Sequence, residues 1–240
     1  MDTAPQRKAP TLSIIMPVFN EEKTLRTILE KVENAPLSNL QKEIIIIDDA
    51  STDATRQILQ TLSPKYRVIL RTQNAGKGAC IRAGFDAANG DYIIIQDADL
   101  EYDPADYERL VAPLLRKEAD VVYGTRFSGK REYVNGSAAH HYANIFLTLL
   151  SNICSGLRLT DMETCYKTFT KEALASFKDT LISERFGIEI ELTAQVAKHK
   201  LRVVEVPVAY IGRSYTEGKK IGWKDGIAAI YHILYFNLIR

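Results

Sequence analysis

Tyr92-Ile93-Ile94-Ile95-Gln96-Asp97-Ala98-Asp99-Leu100-Glu101 is the most informative stretch of the chain. Its first residues are a continuous apolar run, the signature of a strand covered on both faces. The run stops at three acids spaced by two. The same pattern recurs on either side. Leu12 to Met16 is closed by Pro17 and followed by Asn20-Glu21; Ile44 to Ile47 is followed by Asp48-Asp49; Val121 to Tyr123 is followed by Gly124 to Arg126. Val68 to Leu70 adds a further strand. Strands alternating with helices predict an α/β fold: a Rossmann-like, mostly parallel sheet with helices on both faces and an elaborated C-terminal third. In such sheets ligands bind beyond the carboxyl ends of the strands, where these polar clusters stand.

The helices follow from periodicity. Asn20 is placed to cap a helix with Glu21 and Glu22 in its first turn and Leu25, Ile28, Leu29 and Val32 on its buried face. Ser51 is placed to cap a helix bearing Ile58, Leu59 and Leu62. Gly76 to Gly78 forms a tight loop before a helix at about 79–88, and another helix runs from about 104 to 116. Beyond a Gly-containing loop at 129–136, a helix at about 137–155 carries Phe146, Leu149, Leu150 and Ile153. Residues 186–199 read as a helix and 203–210 as extended chain broken by Pro207. A last helix, 223–239, presents Ile227, Ile230, Tyr231, Leu234, Tyr235 and Leu238. No repeat or linker interrupts the chain, so one domain is expected.

Composition narrows the function. Apolar residues make up 46% and charged residues 25% of 240, which excludes a disordered chain. Lys and Arg number 31 against 30 Asp and Glu, a balance unlike that of a nucleic-acid binder. No run approaches the ~18 apolar residues of a membrane span, and the first ten residues lack a secretory leader, so a cytoplasmic protein is expected. Cys80, Cys154 and Cys165 are widely spaced and predict no disulfide; Cys165 reads as a buried thiol. His140 and His141 read as loop or cap residues, without metal-ligand spacing.

In an extended segment Asp97, Asp99 and Glu101 point to one side. Three carboxylates that close repel unless a cation sits between them, and oxygen-only ligands suit Mg²⁺ or Mn²⁺ shared with substrate phosphates. Gln73-Asn74-Ala75-Gly76-Lys77-Gly78 lets backbone N–H groups approach a phosphate, although the P-loop spacing is absent. Lys77 reads either as a donor contact or as an exposed turn lysine.

These motifs together resemble family 2 glycosyltransferases of the GT-A fold, and among them the polyprenyl-phosphate mannose and glucose synthases. The carriers are Ile15-Met16-Pro17-Val18-Phe19-Asn20-Glu21, Ile47-Asp48-Asp49-Ala50-Ser51, Asp97 to Glu101, Gly124-Thr125-Arg126 and Arg213 through Lys219. The stretches Asp161-Met162-Glu163-Thr164-Cys165-Tyr166-Lys167 and Glu217 to Trp223 look like a bacterial and archaeal branch. The resemblance spans Leu12 to about Ile230. It implies that residues 1–125 bind the nucleotide sugar and 126–240 the acceptor. Pro17, Phe19, Glu21, Ile47 and Asp49 would line the nucleoside pocket, and Ala98 and Asp99 would lie against ribose and diphosphate. Asp97, Asp99 and Glu101 would surround the metal, while Arg126, Arg213 and Lys219 would grip phosphates. Glu101 stands where mannose synthases often have Gln or Ser. The Asp161 to Lys167 segment also departs from their pattern, which leaves the hexose open between UDP-glucose and GDP-mannose.

The implied reaction passes a hexose to a polyprenyl phosphate by direct, inverting displacement. Asp99 and the metal would serve the leaving group, and Arg126, Arg213 and Lys219 the phosphates. Arg131 and Lys167 are weaker acceptor candidates, with exposed surface charges as the alternative. Glu189 and Glu191 would orient the sugar or act as a base, or else form an exposed or salt-bridged helix face. A hydroxyl acceptor would require such a base. The 137–155 and 223–239 helices either turn their apolar faces to the protein core, as amphipathic helices usually do, or dock on the cytoplasmic face of a membrane, with Trp223 either core or anchor and Lys130-Arg131 and Lys219-Lys220 placed to attract anionic lipid. The oligomeric state is not legible.

Overall fold

The computed structural model describes residues 9–62, 64–127, 133–134, 138–212 and 223–240. Six parallel strands and one antiparallel strand form its main sheet. They are β1 (Thr11–Val18), β2 (Gln41–Asp48), β3 (Arg67–Leu70), β4 (Tyr92–Ile95), β5 (Val121–Thr125), β7 (Lys167–Thr170) and β8 (Val203–Pro207), in the order β3-β2-β1-β4-β7-β5-β8. A two-stranded parallel pair joins β6 (Tyr133–Val134) to β9 (Tyr210–Ile211). The helices are α1 (Leu25–Asn34), α2 (Thr55–Leu62), α3 (Lys77–Ala87), α4 (Tyr107–Leu115), α5 (Ala138–Ser155), α6 (Lys171–Ala175), α7 (Ile188–Lys198) and α8 (Trp223–Leu234). A π-helical turn, Tyr235–Ile239, continues α8.

The order reverses after β3. Right-handed crossovers then place α1 and α2 on one face and α3 on the other. The reversal falls between β1 and β4, a crevice of the kind where ligands settle in open α/β sheets. Leu12, Ile14, Ile15, Ile45, Ile46, Ile94 and Ile95 are completely buried, as expected of strands covered on both faces. One continuous core runs from Leu12 to Phe236.

Four local expectations change. Strand β7 has no apolar run to announce it, because its first residue is a buried lysine. Thr24, not Asn20, precedes α1, and no acid occupies the first turn of that helix. Asn20 instead adopts a left-handed φ of 55° and accepts the Thr52 N–H at 2.8 Å, while Ser51 Oγ accepts the Asn20 N–H. Ser51 thus ties the β1 and β2 loops together rather than capping α2. Fourth, the apolar stripe of α5 faces outward: Phe146, Leu149 and Ile153 are 55%, 57% and 72% exposed, whereas Leu147, Thr148 and Ser151 face the core.

Candidate active site

The carboxyl ends of β1, β2 and β4 meet in one crevice. Pro17 and Ile47 are register partners on adjacent strands, which places them side by side at its floor. Phe19 is half-buried beyond Pro17. Glu21 is buried and accepts the Thr24 hydroxyl at 2.7 Å, so it also organises the start of α1. Asp48 is buried against Arg56 at 2.7 Å. Asp49 accepts the N–H groups of Ala75 and Gly76 at 3.0 and 2.6 Å, with Arg71 at 3.3 Å. Asp49 therefore shapes the 73–78 loop from across the crevice.

That loop is held from its other side as well. Gly76 has φ +97°, and a Cβ there would lie 2.7 Å from the Glu184 carbonyl oxygen. A Cβ on Gly78 would lie 2.4 Å from the Ser183 carbonyl oxygen, so only glycine permits the 183–184 chain to approach. Glu191, fully buried, accepts the N–H groups of Ile182 and Ser183 and fixes that chain in turn. It also pairs with Arg240 at 3.7 Å, so Glu191 is a buried, salt-bridged residue and not an exposed helix face.

The loop delivers Lys77, the first residue of α3. Its ammonium lies 2.8 Å from Asp97 Oδ2 and 2.9 Å from Glu189 Oε1. Burial works to depress the Lys77 pKa, but Asp97 and Glu189 outweigh it and hold it well above the ordinary lysine range. Lys77 is thus no exposed turn lysine. Glu189 Oε2 reaches Lys167 at 3.1 Å. Lys167 is completely buried and donates also to the carbonyls of Met162 and Thr164 at 2.9 and 2.6 Å. Its three protons are all used within the fold, so Lys167 is no exposed surface charge. Asp97, Lys77, Glu189 and Lys167 form one chain of alternating charge, buried at Lys167 and Glu189 and half-buried at Lys77 and Asp97.

The acids after β4 are arranged differently from the extended alternation. The chain turns at Ala98-Asp99, Leu100 has φ +66°, and Asp99 Oδ1 accepts the Glu101 N–H at 3.1 Å. Ala98 is buried beneath the turn. Glu101 is drawn aside to the Tyr210 hydroxyl at 3.0 Å. Among the described residues no three acid, His or Cys side chains gather closely enough to hold a metal, so Asp97, Asp99 and Glu101 do not make a three-carboxylate cage. The Asp99 carboxylate offers oxygen donors alone, which suit a hard cation whose other ligands are substrate oxygens.

Arg126, just beyond β5, donates to Asp161 through Nε and Nη2, each at 2.7 Å. Burial opposes its charge, but Asp161 holds its pKa well above the usual range. The pair uses two of five guanidinium N–H groups. Phe127 and Tyr210 flank the guanidinium carbon at 5.3 and 5.1 Å. Arg131, Arg213 and Lys219, with Lys130 and Lys220, lie outside the described residues. So do the side chains of His140 and Trp223.

All three cysteines are free. Burial, with Asp97 close by, pushes the Cys165 thiol well above its usual range, and Cys80 is pushed up to about 12 by burial. Both are inert thiols, as expected for Cys165.

Sequence reasoning assigned no role to Asp161, Glu163 or Tyr210. The first two stand in the quoted 161–167 segment, but Arg126, the partner that fixes Asp161, lies 35 residues away. Burial pushes the Glu163 carboxyl up to about 7, with Lys167 opposing and Glu189 reinforcing the rise. A carboxyl raised in the folded state gives up stability as pH climbs from its unfolded value toward 7. Glu163→Gln is therefore expected to gain on the order of 2 kcal/mol over wild type at pH 8, with the gap closing toward pH 4. Urea melts across that range check it; a pH-independent difference would contradict it.

The family model for "Glycosyl transferase family 2" matches residues 13–177. A UDP-N-acetylglucosamine–dolichyl-phosphate N-acetylglucosaminyltransferase of Methanococcus voltae is 25% identical, over 94% of this chain and 95% of its own length. An undecaprenyl-phosphate mannosyltransferase of Micrococcus luteus is 28% identical, over 90% of each. Among solved structures, glucosyl-3-phosphoglycerate synthase from Mycobacterium tuberculosis, in complex with Mn²⁺, UDP-glucose and phosphoglyceric acid, superposes with a TM-score of 0.73. The match covers 96% of this chain and 81% of that one at 21% identity, and it shows the fold. The chain belongs to glycosyl transferase family 2 and is a glycosyltransferase of the GT-A fold.

Proposed function

We propose that this enzyme transfers a hexose from a nucleotide sugar to a polyprenyl phosphate at a membrane surface, inverting the anomeric centre. The observation that carries the reading is the pair of near-full-length relatives. Their names differ in sugar but share a polyprenyl-phosphate acceptor. The acceptor class therefore has more support than the sugar, which stands between glucose from UDP-glucose and mannose from GDP-mannose.

The site supports the same acceptor. A phosphate monoester is anionic near neutral pH and attacks without a protein base. Glu189 is tied between two ammonium groups and Glu191 to backbone N–H groups, so neither is arranged as a base for a hydroxyl acceptor. The chain must instead bring anionic partners together and stabilise the departing diphosphate. Pro17, Phe19 and Ile47 would hold the nucleoside, with Asp49 fixing the loop beside it. Lys77 keeps Asp97 placed under the turn that presents Asp99. Arg126, oriented by Asp161, would direct its remaining N–H groups to a phosphate, with Arg213 and Lys219 proposed for the same task. Mg²⁺ or Mn²⁺ held by Asp99 and the donor diphosphate would offset charge on the leaving group. The Mn²⁺ in the superposed synthase supports this ion class.

The membrane reading is supported by the outward faces of α5 and α8. Tyr142, Phe146, Leu149, Ile153, Ile227 and Tyr231 are exposed on these two packed helices, and Leu238 and Ile239 on the π-helical turn that continues α8. That apolar area exceeds the usual scatter of surface hydrophobics. No described helix is long and apolar enough to cross a bilayer. Sedimentation with anionic liposomes at low salt should carry most of the protein into the pellet, and Phe146→Ser with Ile153→Ser should release it. Protein left wholly in the supernatant would contradict peripheral docking.

The reaction is tested by incubating the protein with Mg²⁺, each nucleotide sugar and a short polyprenyl phosphate, then weighing the organic extract by mass spectrometry. A hexosyl polyprenyl phosphate is expected from one donor. Transfer to a water-soluble hydroxyl acceptor, with no lipid product, would overturn the reading.

A further inference from the structure

We infer that Glu163 is a sugar-binding residue: its carboxylate accepts a hydroxyl of the hexose being transferred and so helps select that hexose. The inference rests on the donor half of the reading above and is independent of the acceptor.

The loop between α5 and β7 lies across the carboxyl ends of β4 and β5, and it is fixed on both sides of Glu163. Asp161 is clamped by Arg126, and its N–H is bound by Glu205 at 3.0 Å. The carbonyls immediately before and after Glu163, those of Met162 and Thr164, both accept from the Lys167 ammonium. The Cys165 N–H donates to the Tyr102 hydroxyl at 3.2 Å, and the Tyr166 hydroxyl to Gln96 Oε1, next to Asp97, at 2.7 Å. The backbone under Glu163 is thus held rigidly against the end of β4.

The side chain is not held in the same way. Glu163 Oε1 is buried and has no hydrogen-bond partner among the described residues. Asp161, Glu189 and Glu191, the other carboxylates of this region, are each paired. Buried polar atoms without partners are few in folded proteins and call for a specific explanation. The residue as a whole is half-buried, and the terminal torsion of Glu is broad, so a small rotation turns an oxygen outward.

Charge then selects the ligand. Glu163 stands in the fields of Arg126 and Lys167, but also of Asp161 and Glu189. Another carboxylate here repels the donor diphosphate and an acceptor phosphate alike. The uncharged polyol between those two phosphates is the part of the substrates whose hydroxyls a carboxylate can accept. Lys167, which holds the carbonyls on either side of Glu163, leads through Glu189 and Lys77 to Asp97, two residues before Asp99, beside which the sugar would be transferred.

The test compares the full chain with Glu163→Gln and Glu163→Ala, in Mg²⁺, by calorimetry and by transfer kinetics. UDP-glucose, GDP-mannose and UDP-N-acetylglucosamine serve as donors, with UDP and GDP as sugarless controls. Glu163→Ala is expected to lose about 30-fold in affinity and kcat/KM for the nucleotide sugar that wild type prefers, and Glu163→Gln, whose amide oxygen still accepts a hydroxyl but carries no charge, about 5-fold; both should lose less than ~2-fold in affinity for the bare nucleotide. Equal losses on sugar and bare nucleotide, or no loss, would overturn the assignment. So would a loss in kcat alone with sugar affinity intact, which would make Glu163 a proton acceptor. The calorimetry uses no acceptor, so it reads Glu163 even when no lipid product forms. If wild type binds none of the three donors, the donor reading falls and the inference with it. Glu163→Gln keeps the shape of the side chain and serves if Glu163→Ala does not fold.

Discussion

Asp99→Asn is expected to lower turnover by roughly 10²–10³-fold, the usual consequence of losing one preorganised electrostatic partner of a transition state. The exchange keeps the side-chain shape and its ability to accept the Glu101 N–H, so the turn after β4 survives. Stability should change by less than ~1 kcal/mol, because Asp99 serves a ligand and not the core. The loss should appear in turnover and in Mg²⁺-dependent nucleotide binding together, and calorimetry with and without Mg²⁺ reads the second directly. Normal turnover in Mg²⁺ would remove Asp99 from the reaction. Asp97→Asn differs, because Asp97 is already paired with Lys77 at 2.8 Å and its loss disturbs the chain of alternating charges first.

Lys167→Met has the opposite signature. It keeps a side chain of similar length in a fully buried position but removes the ammonium that joins Glu189 to the carbonyls of Met162 and Thr164. Removing one partner from a buried pair typically costs ~3–5 kcal/mol, because the other charge is left uncompensated. Unfolding in urea should show this loss directly. The residual folded protein should bind a polyprenyl phosphate with its ordinary KM. A variant with wild-type stability and a raised acceptor KM would return Lys167 to the acceptor site.

The two substitutions mark where the sequence is and is not legible. Strands β1, β2, β4 and β5 are readable because burial on both faces demands unbroken apolar runs. Their carboxyl ends then locate the crevice, and Asp49, Lys77, Asp97 and Arg126 all come to it. Strand β7 escapes notice because Lys167 enters the core through three specific acceptors, which no local pattern reveals. The alternation of Asp97, Asp99 and Glu101 suggests a cage only while the segment is taken as extended. The left-handed Leu100 sends Glu101 to Tyr210 instead. Pairing distant in sequence hides most of the rest. Arg126 with Asp161, and Glu189 with both lysines, are contacts of the folded chain alone. For α5, periodicity finds the apolar stripe correctly but carries no sign for which way it faces, and it faces out.

The central claim is that the acceptor phosphate itself displaces the donor's diphosphate, with no protein base in the line of attack. The structure of the product tests it most directly. Material made from an α-linked nucleotide sugar and a short polyprenyl phosphate should be analysed by proton and phosphorus NMR. A hexose joined through a phosphate oxygen in the β configuration is expected. A retained α linkage, or a hexose attached to a hydroxyl instead of the phosphate, would contradict it.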